Sequence, residues 1–135
     1  MADDSRYKLF GVYVSEPVTD ALEEYLYDTA GVVDLEGYFD TTSDLVPVGD
    51  PGADATDELV ADVLEEFAAL YDRADFDAAE RVAPDAFNLV HLAARPQQVS
   101  DIRERFRAAS TIQETDSRTV QTAILAAYFE TDVDD

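Results

Sequence analysis

The feature that most constrains the fold is a long amphipathic stretch in the middle of the chain. Between residues 55 and 72, apolar residues recur every three or four positions, the spacing that lines up one face of an α-helix. This apolar stripe comprises Leu59, Val60, Val63, Leu64, Phe67, Leu70 and Tyr71. Acidic residues occupy the opposite face, with Asp54 or Thr56 as the candidate N-cap. The pattern predicts a helix that buries one face in a core.

The N-terminal region predicts a strand followed by a second helix. Residues 7 to 14 are rich in aromatic and β-branched residues, which favour strands. Ser15 offers an N-cap, and Pro17 suits the first turn of a helix. The apolar face of this helix comprises Val18, Leu22, Tyr25 and Leu26. Gly31 then marks its C-terminal end.

The segments on either side of the central helix have weaker sequence patterns. Residues 32 to 39 have a faint strand pattern. Two prolines and two glycines lie within residues 40 to 54 and predict an internal loop. A short helix is expected at residues 76 to 83.

The last third of the chain predicts three more helices. Residues 84 to 95 are apolar nearly all round, and we expect them to form a buried helix at the centre of the core. After Pro96, a fifth helix carries an apolar face formed by Val99, Ile102, Phe106 and Ala109. A final helix places Val120, Ile124, Ala127 and Tyr128 inward. Residues 131 to 135 are expected to be a frayed acidic tail.

Together these elements predict a small, mostly helical α+β fold. We expect four to six helices around the 84–95 helix, with a short N-terminal strand or hairpin. A chain of 135 residues is expected to form one domain, residues 1–135. Hydrophobic residues make up 47% of the chain and include seven Phe and seven Tyr, so a packed core is expected rather than disorder.

The charge balance points to the solvent in which the protein works. Asp and Glu number 31 against nine Lys and Arg, a net charge of −22, and Lys8 is the only lysine. The Debye length falls from about 8 Å at physiological ionic strength to about 3 Å at 1 M salt, which screens such self-repulsion. The composition resembles that of cytoplasmic proteins of halophilic archaea or of their viruses. It implies a cytoplasmic or virion location and loosely bound monovalent cations.

A different interpretation of the charge is a low-salt acidic protein that binds basic partners or mimics nucleic acid, although this does not explain the missing lysines. The chain has no cysteine, so neither disulfides nor thiolate zinc sites are expected. The acidic N-terminus is unlike a signal peptide, and no apolar run reaches the length of a membrane span.

Five arginines are concentrated between residues 95 and 118, against only four acidic residues there. They are the candidate partner-binding residues Arg95, Arg103, Arg105, Arg107 and Arg118. Guanidinium groups bind carboxylates and phosphates in a bidentate way, so one interpretation is contact with an acidic partner surface. The alternative is ion pairing within the helix, from Asp101 to Arg105 and from Glu104 to Arg107.

No catalytic, metal-binding or cofactor-binding residue is predicted. His91, the only histidine, lies in the apolar 84–95 segment and is expected to be a buried structural residue. Asp72, Asp75 and Asp77 are close together but lack the glycine and glutamate spacing of a calcium loop. An enzyme would require a concave site around His91, and the sequence offers no substrate for it.

Residues 8 to 31 resemble the opening of a ribbon-helix-helix repressor, with a strand, a helix start at Ser15, Glu16 and Pro17, and an end at Gly31. The resemblance implies that the strand pairs across a dimer and that its outward side chains read the major groove of DNA. Those positions are either Lys8, Phe10, Val12 and Val14 or Tyr7, Leu9, Gly11 and Tyr13. Both sets are poor in base-reading groups, so DNA binding is the alternative function.

The favoured function is a non-catalytic adaptor or assembly subunit that binds a protein partner or itself. The N-terminal strand is expected to pair with the sheet edge of a neighbour. The arginines are expected to meet a neighbour's acidic face.

Overall fold

Three strands and six α-helices make up the described part of the chain, residues 6–33, 45–47, 50–131 and 133 of a computed structural model. In chain order they are β1 (Arg6–Val14), α1 (Glu16–Ala30), β2 (Leu45–Pro47), α2 (Pro51–Glu65), α3 (Phe67–Arg73), α4 (Phe76–Glu80), β3 (Asn88–Ala94), α5 (Pro96–Gln113) and α6 (Ser117–Phe129). A single 3₁₀ turn, Pro84–Ala86, precedes β3. The mostly helical α+β class with an N-terminal strand is confirmed.

The strands form one antiparallel sheet in the order β2-β1-β3. β1 is the middle strand. It pairs with β3 over seven residues, from Lys8 opposite Ala94 to Val14 opposite Asn88. Its first three residues pair with β2, where Tyr7 lies opposite Val46.

The predicted core helix at residues 84–95 is wrong, because residues 88–94 form strand β3. The segment is apolar on both sides since four of its seven side chains, Val90, Leu92, Ala93 and Ala94, are buried. A short apolar run of this kind has no period that distinguishes a buried strand from a buried helix. The strand itself, Asn88–Ala94, is 7 residues long, which is an ordinary length for a strand and short for a helix.

The central helix begins earlier than predicted and is divided into two. α2 starts at Pro51, where the Asp50 side chain accepts hydrogen bonds from the Gly52 and Ala53 amides at 2.9 and 3.3 Å. Asp50 is therefore the N-cap instead of Asp54 or Thr56, and proline occupies the first helical position that suits it. α2 ends at Glu65, and α3 follows from Phe67.

Two other predicted segments differ from the structure. The predicted loop at 40–54 contains strand β2 and the first turn of α2; its remaining residues up to 49 lie outside the described part. The predicted strand at 32–39 has no strand at residues 32 and 33, and residues 34–39 also lie outside it. In the predicted tail, Val133 is buried in the core, and residues 132, 134 and 135 lie outside the described part, so the frayed tail stays a prediction.

The sheet buries one face fully and the other face only near β2. Phe10, Val12 and Val14 of β1, with Val90 and Leu92 of β3, are each at most 3% exposed. On the opposite face, Tyr7, Leu9 and Ala93 are buried, but Tyr13 and Leu89 are exposed. The apolar faces predicted for α1 and α5 are buried against the same core, including Leu22, Leu26, Ile102 and Phe106.

Side chains of α2 bind main-chain groups at the outer edge of β3. Thr56 Oγ1 accepts a hydrogen bond from the Ala93 amide at 3.0 Å and donates to the Ala93 carbonyl at 2.6 Å. The next residue, Asp57, accepts from the Arg95 amide at 2.9 Å. A helix thus satisfies strand groups that have no neighbouring strand.

α6 satisfies the other flank of β1 in the same way. Gln121 Oε1 accepts from the Tyr13 amide at 2.8 Å, and Thr122 Oγ1 accepts from the Ser15 amide at 2.9 Å. Thr122 Oγ1 also donates to Ser15 Oγ at 3.2 Å. These bonds hold α6 beside the end of β1 that extends past β2.

Replacing Thr56 with valine keeps the shape of the side chain but removes both hydrogen bonds to Ala93. Because the buried Ala93 amide and carbonyl then lack partners, we expect the free energy of unfolding to fall by about 1–3 kcal/mol. Urea denaturation at constant KCl measures the change. Thr111→Val on exposed α5 is the matched control and should change stability by less than about 0.5 kcal/mol. Equal effects of the two substitutions would contradict the edge role of Thr56.

Tyr7 ties β1 to the first turn of α2. Its hydroxyl donates to Asp54 Oδ1 at 2.6 Å, and the ring is buried. Burial, and then the Asp54 carboxylate, disfavour the tyrosinate and raise the pKa of Tyr7 from 10.0 to about 12. The folded state therefore holds this proton more tightly than the unfolded state does. Its contribution is complete below pH 10 and is lost as the pH rises to about 12.

The Tyr7→Phe variant tests this pH dependence. Near neutral pH we expect it to be less stable than the parent by about 1.5 kcal/mol, because the charge-assisted hydrogen bond is lost. That difference should shrink as the pH rises from 10 to about 12, since only the parent must ionise a buried phenol. Urea denaturation at each pH gives the two curves. Tyr27→Phe, at an exposed site, is the control, and a pH-independent Tyr7→Phe difference would refute the assignment.

Candidate interaction surfaces

The five candidate arginines do not form one surface. Arg95 Nε lies 3.7 Å from Asp57 Oδ2 at the start of α5. Arg118, near the start of α6, pairs with Asp116 at 3.2 Å and lies over the Phe87 ring, 5.4 Å from its centre. Arg103 lies over Phe10 of the sheet at 6.0 Å. These side chains contact different elements. The clustering of the arginines in the sequence therefore does not produce a single cationic patch.

The ion pairs predicted within α5 do not form. Arg95–Asp57 and Arg118–Asp116 are the two ion pairs among the residues that the structure describes. Asp101 accepts a hydrogen bond from Gln97 at 3.1 Å instead of pairing with Arg105. Arg103, Arg105 and Arg107 are exposed along α5, and none of them forms an ion pair with a described residue.

Arg103 and Arg105 lie on opposite flanks of the buried face of α5. Successive helical residues are rotated by about 100°, so residues two apart are separated by about 200°. Arg103 accordingly lies over Phe10 of the sheet, whereas Arg105 lines a groove beside α3. The two arginines therefore face different parts of the molecule.

His91 lies in strand β3 rather than in a buried helix. Its side chain is half-buried on the outer face of the sheet, across from Gly11 of β1. A Cβ atom at Gly11 would lie 3.8 Å from His91 Nε2. No described residue forms a hydrogen bond with the imidazole, so the described residues provide no orienting partner of the kind that a catalytic histidine uses.

An apolar groove runs between α3 and α5 and is a candidate interaction surface because its lining is mostly apolar. It encloses about 350 Å³ and is open to solvent along its length. Its lining residues are Phe67, Ala68, Tyr71 and Asp72 from one wall and Arg105, Ala108, Ala109 and Ile112 from the other. We call it the α3/α5 groove. Ile112 lies at the end of the groove. Its large apolar side chain is 70% exposed to solvent.

The two charged residues of the α3/α5 groove stand on opposite walls. Asp72 belongs to α3 and Arg105 to α5. Neither forms an ion pair with any described residue. Between them the lining is aromatic and aliphatic, and Tyr71 is anchored by a hydrogen bond with the Gln113 side chain. The groove therefore has an aromatic and aliphatic lining with one anionic residue on the α3 wall and one cationic residue on the α5 wall.

The sequence contains a signal for this groove that the prediction did not use. Ile112 falls outside the apolar stripe of α5, which ends with Phe106 and Ala109. An isoleucine on the polar side of an amphipathic helix is a candidate contact residue. The matching wall on α3 is not predictable in the same way, because Tyr71 was assigned to the buried stripe of one long helix.

The described residues form neither a cluster of metal ligands nor a membrane-spanning helix. No group of three or more His, Cys, Asp or Glu side chains there could hold a metal ion. Asp75, of the acidic group considered above, accepts the Ala78 amide at 2.9 Å and caps α4. None of the helices described is long and apolar enough to cross a bilayer.

Comparisons with known protein families, curated proteins and solved structures gave no match to this chain.

Proposed function

We propose that the chain is a non-catalytic assembly subunit or adaptor that associates with a second copy through the α3/α5 groove. The observation that carries the proposal is the exposure of Ile112 at the end of an apolar groove. Such a side chain gains about 25 cal/mol for each Å² of apolar surface removed from water. Packing against another helix would supply that burial.

The shape and lining of the groove favour a protein helix over a small substrate. Small-molecule sites are concave and place several converging polar groups around the ligand. The α3/α5 groove is open, and its two charged lining residues, Asp72 and Arg105, lie on opposite walls instead of converging. Amphipathic helices bind such grooves through apolar side chains three and four residues apart, the spacing that Ala108 and Ile112 present on α5.

The charges favour a second copy as the occupant. In a two-fold dimer the same patch meets itself, so each residue finds the partner residue that it contacts in return. Arg105 and Asp72 stand on opposite walls without an ion pair to each other. A two-fold axis through the groove would bring Arg105 toward the partner subunit's Asp72, and would bring the two Ile112 side chains into the shared apolar floor.

Replacing Ile112 with glutamate tests the groove directly. A charge buried in the centre of the interface should cost at least about 2 kcal/mol, or about thirty-fold in the dimer dissociation constant. Light-scattering mass across a concentration series should give twice 14.9 kDa for the parent and shift toward 14.9 kDa for the variant. Thr111→Glu adds the same charge at an exposed neighbour that does not line the groove. It should leave the dimer unchanged.

A charge exchange within the same measurement tests the two-fold arrangement. Arg105→Asp and Asp72→Arg should each weaken the dimer about fivefold, and the double variant should restore it. The series is run at the lowest KCl concentration that keeps the protein folded, because salt screens exposed charges. A monomeric parent at all concentrations would overturn self-association. A double variant no stronger than either single variant would overturn the proposed pairing.

No contact among the described residues supports either of the two alternative functions, DNA binding or catalysis. The ribbon-helix-helix alternative requires that β1 be free to pair across a dimer. The expected pairing of β1 with the sheet edge of a neighbour has the same requirement. In the structure, β1 pairs with both β2 and β3. The enzyme alternative needs a site around His91, which lies on a partly exposed sheet face.

We further propose that the protein works in the concentrated salt of a halophilic archaeal cell or in a virus of such a cell. Support comes from the charge of −22 and from the scarcity of ion pairs among the described residues. Mutual repulsion among the carboxylates is then balanced by dissolved cations rather than by the protein's own basic groups.

The dependence of thermal stability on KCl tests this environment. Between about 0.2 M and about 3 M KCl the Debye length falls below about 3 Å, so we expect the thermal midpoint to rise by at least about 10 °C. Circular dichroism gives the midpoint. A nonionic osmolyte at matched osmolality is the control and should give a smaller rise. A midpoint that does not change with KCl would argue against a high-salt environment.

A further inference from the structure

The described residues cover only half of the outer edge of β3. Thr56 binds both the amide and the carbonyl of Ala93, so these groups face away from β1. In an antiparallel pair, alternate residues point their main-chain groups in the same direction. The amides and carbonyls of His91 and Leu89 therefore also face away from β1. We call these four groups the open β3 edge.

No described residue bonds to the open β3 edge. The bonds of α2 end at Ala93 and Arg95, and β1 uses the opposite side of the strand. The Leu89 side chain is 45% exposed, so this part of the strand is accessible. Unpaired strand edges of this kind are templates for another strand.

Helix α1 runs beside the open β3 edge and forms a trough with it. The trough encloses about 190 Å³. Its lining residues are Glu16, Thr19, Asp20 and Glu23 of α1 and Asn88, Leu89 and Val90 of β3. Asn88 Nδ2 donates to Thr19 Oγ1 at 3.1 Å and to Glu16 Oε2 at 3.4 Å, which joins the strand to the helix. The helical wall is therefore acidic, and none of the lining residues is basic.

The other face of the same edge is apolar. Tyr13 and Leu89 are opposite each other on β1 and β3 and are 40% and 45% exposed. Side chains of an added strand would alternate between this apolar face and the acidic wall of α1. Residues opposite Leu89 and His91 would share the apolar face, and their neighbours would point toward the carboxylates.

We propose that the open β3 edge binds a short extended segment of a partner protein in which basic and apolar residues alternate. The segment pairs antiparallel to β3, as the rest of the sheet does, and its main chain bonds to Leu89 and His91. Its arginine or lysine side chains meet Asp20 and Glu16. Because Thr56 and Asp57 occupy the edge beyond His91, the paired segment is only about four or five residues long.

The probe is the blocked peptide acetyl-(Arg-Val)₃-amide, titrated into isotopically labelled full chain in about 1 M KCl, where nonspecific attraction is screened. Amide chemical shifts locate the site and give the dissociation constant. We expect the largest shifts at Leu89, His91 and Asp20. A second peptide, N-methylated at every valine, has the same charge but cannot donate to the edge, and it should bind at least about tenfold more weakly.

Variants of the protein separate the strand edge from the charge. Leu89→Pro removes only an outward amide, which an edge strand tolerates, and should weaken binding at least about tenfold relative to Leu89→Ala. Asp20→Asn should weaken binding several-fold, whereas Asp28→Asn, on the same helix outside the trough, should not. Absence of binding, shifts centred elsewhere, or equal binding of the two peptides would overturn the proposal, even if Leu89→Pro fails to fold. An unchanged affinity in Asp20→Asn would overturn the basic character of the segment.

Discussion

The structure depends on strand β1 being satisfied on both of its flanks. β3 pairs with it along one side for seven residues, and β2 covers only its first three residues on the other. Beyond β2, the Tyr13 and Ser15 amides bond to side chains of α6 instead of to another strand. The Ser15–Thr122 bond is buried, and because a buried unpaired amide costs about 1–3 kcal/mol, this contact restricts where α6 can lie. The helix positions thus follow from the hydrogen-bonding needs of a three-stranded sheet.

The same logic divides the surface into regions with different chemistry. Thr56 and Asp57 of α2 close part of the β3 edge, and no described residue bonds to the part beside the carboxylates of α1. A second surface, the α3/α5 groove, is lined by apolar side chains of two helices. The two surfaces differ in chemistry, one polar and acidic and the other apolar. The partners proposed for them differ in chemistry accordingly.

The sequence predicted most of the helices because their apolar faces repeat with a period of 3.6 residues. α1, α5 and α6 were identified in this way, and Gly31 does end α1, with a φ of 73°. Strand β3 was missed because its identity depends on a pairing partner far away in the chain. Local periodicity carries no information about that partner. The N-cap of α2 was predictable in principle, since Asp50 directly precedes Pro51.

The candidate sites were harder to predict than the fold for a related reason. Spacing along α5 placed Asp101 within reach of Arg105, but reach does not decide which partner a side chain takes, and Asp101 bonds to Gln97. The two walls of the α3/α5 groove come from segments that are distant in the sequence. Of the lining residues, only Ile112 stands out in its local sequence, as an apolar residue on the polar side of a helix. The trough beside β3 depends on the strand that the sequence did not show. Surfaces that several elements form together are therefore the hardest feature of this chain to predict from its sequence.

The β1–β3 pairing also sets the order in which the chain can fold. Val14 and Asn88 are 88 − 14 = 74 residues apart, and Lys8 and Ala94 are 94 − 8 = 86 apart. Closing a loop of that length costs conformational entropy before any strand contact repays it. The helices, whose hydrogen bonds are local, can form within about a microsecond. We therefore expect the sheet to form after the helices, so that the hydrogen bonds that position α2 and α6 complete the fold rather than begin it.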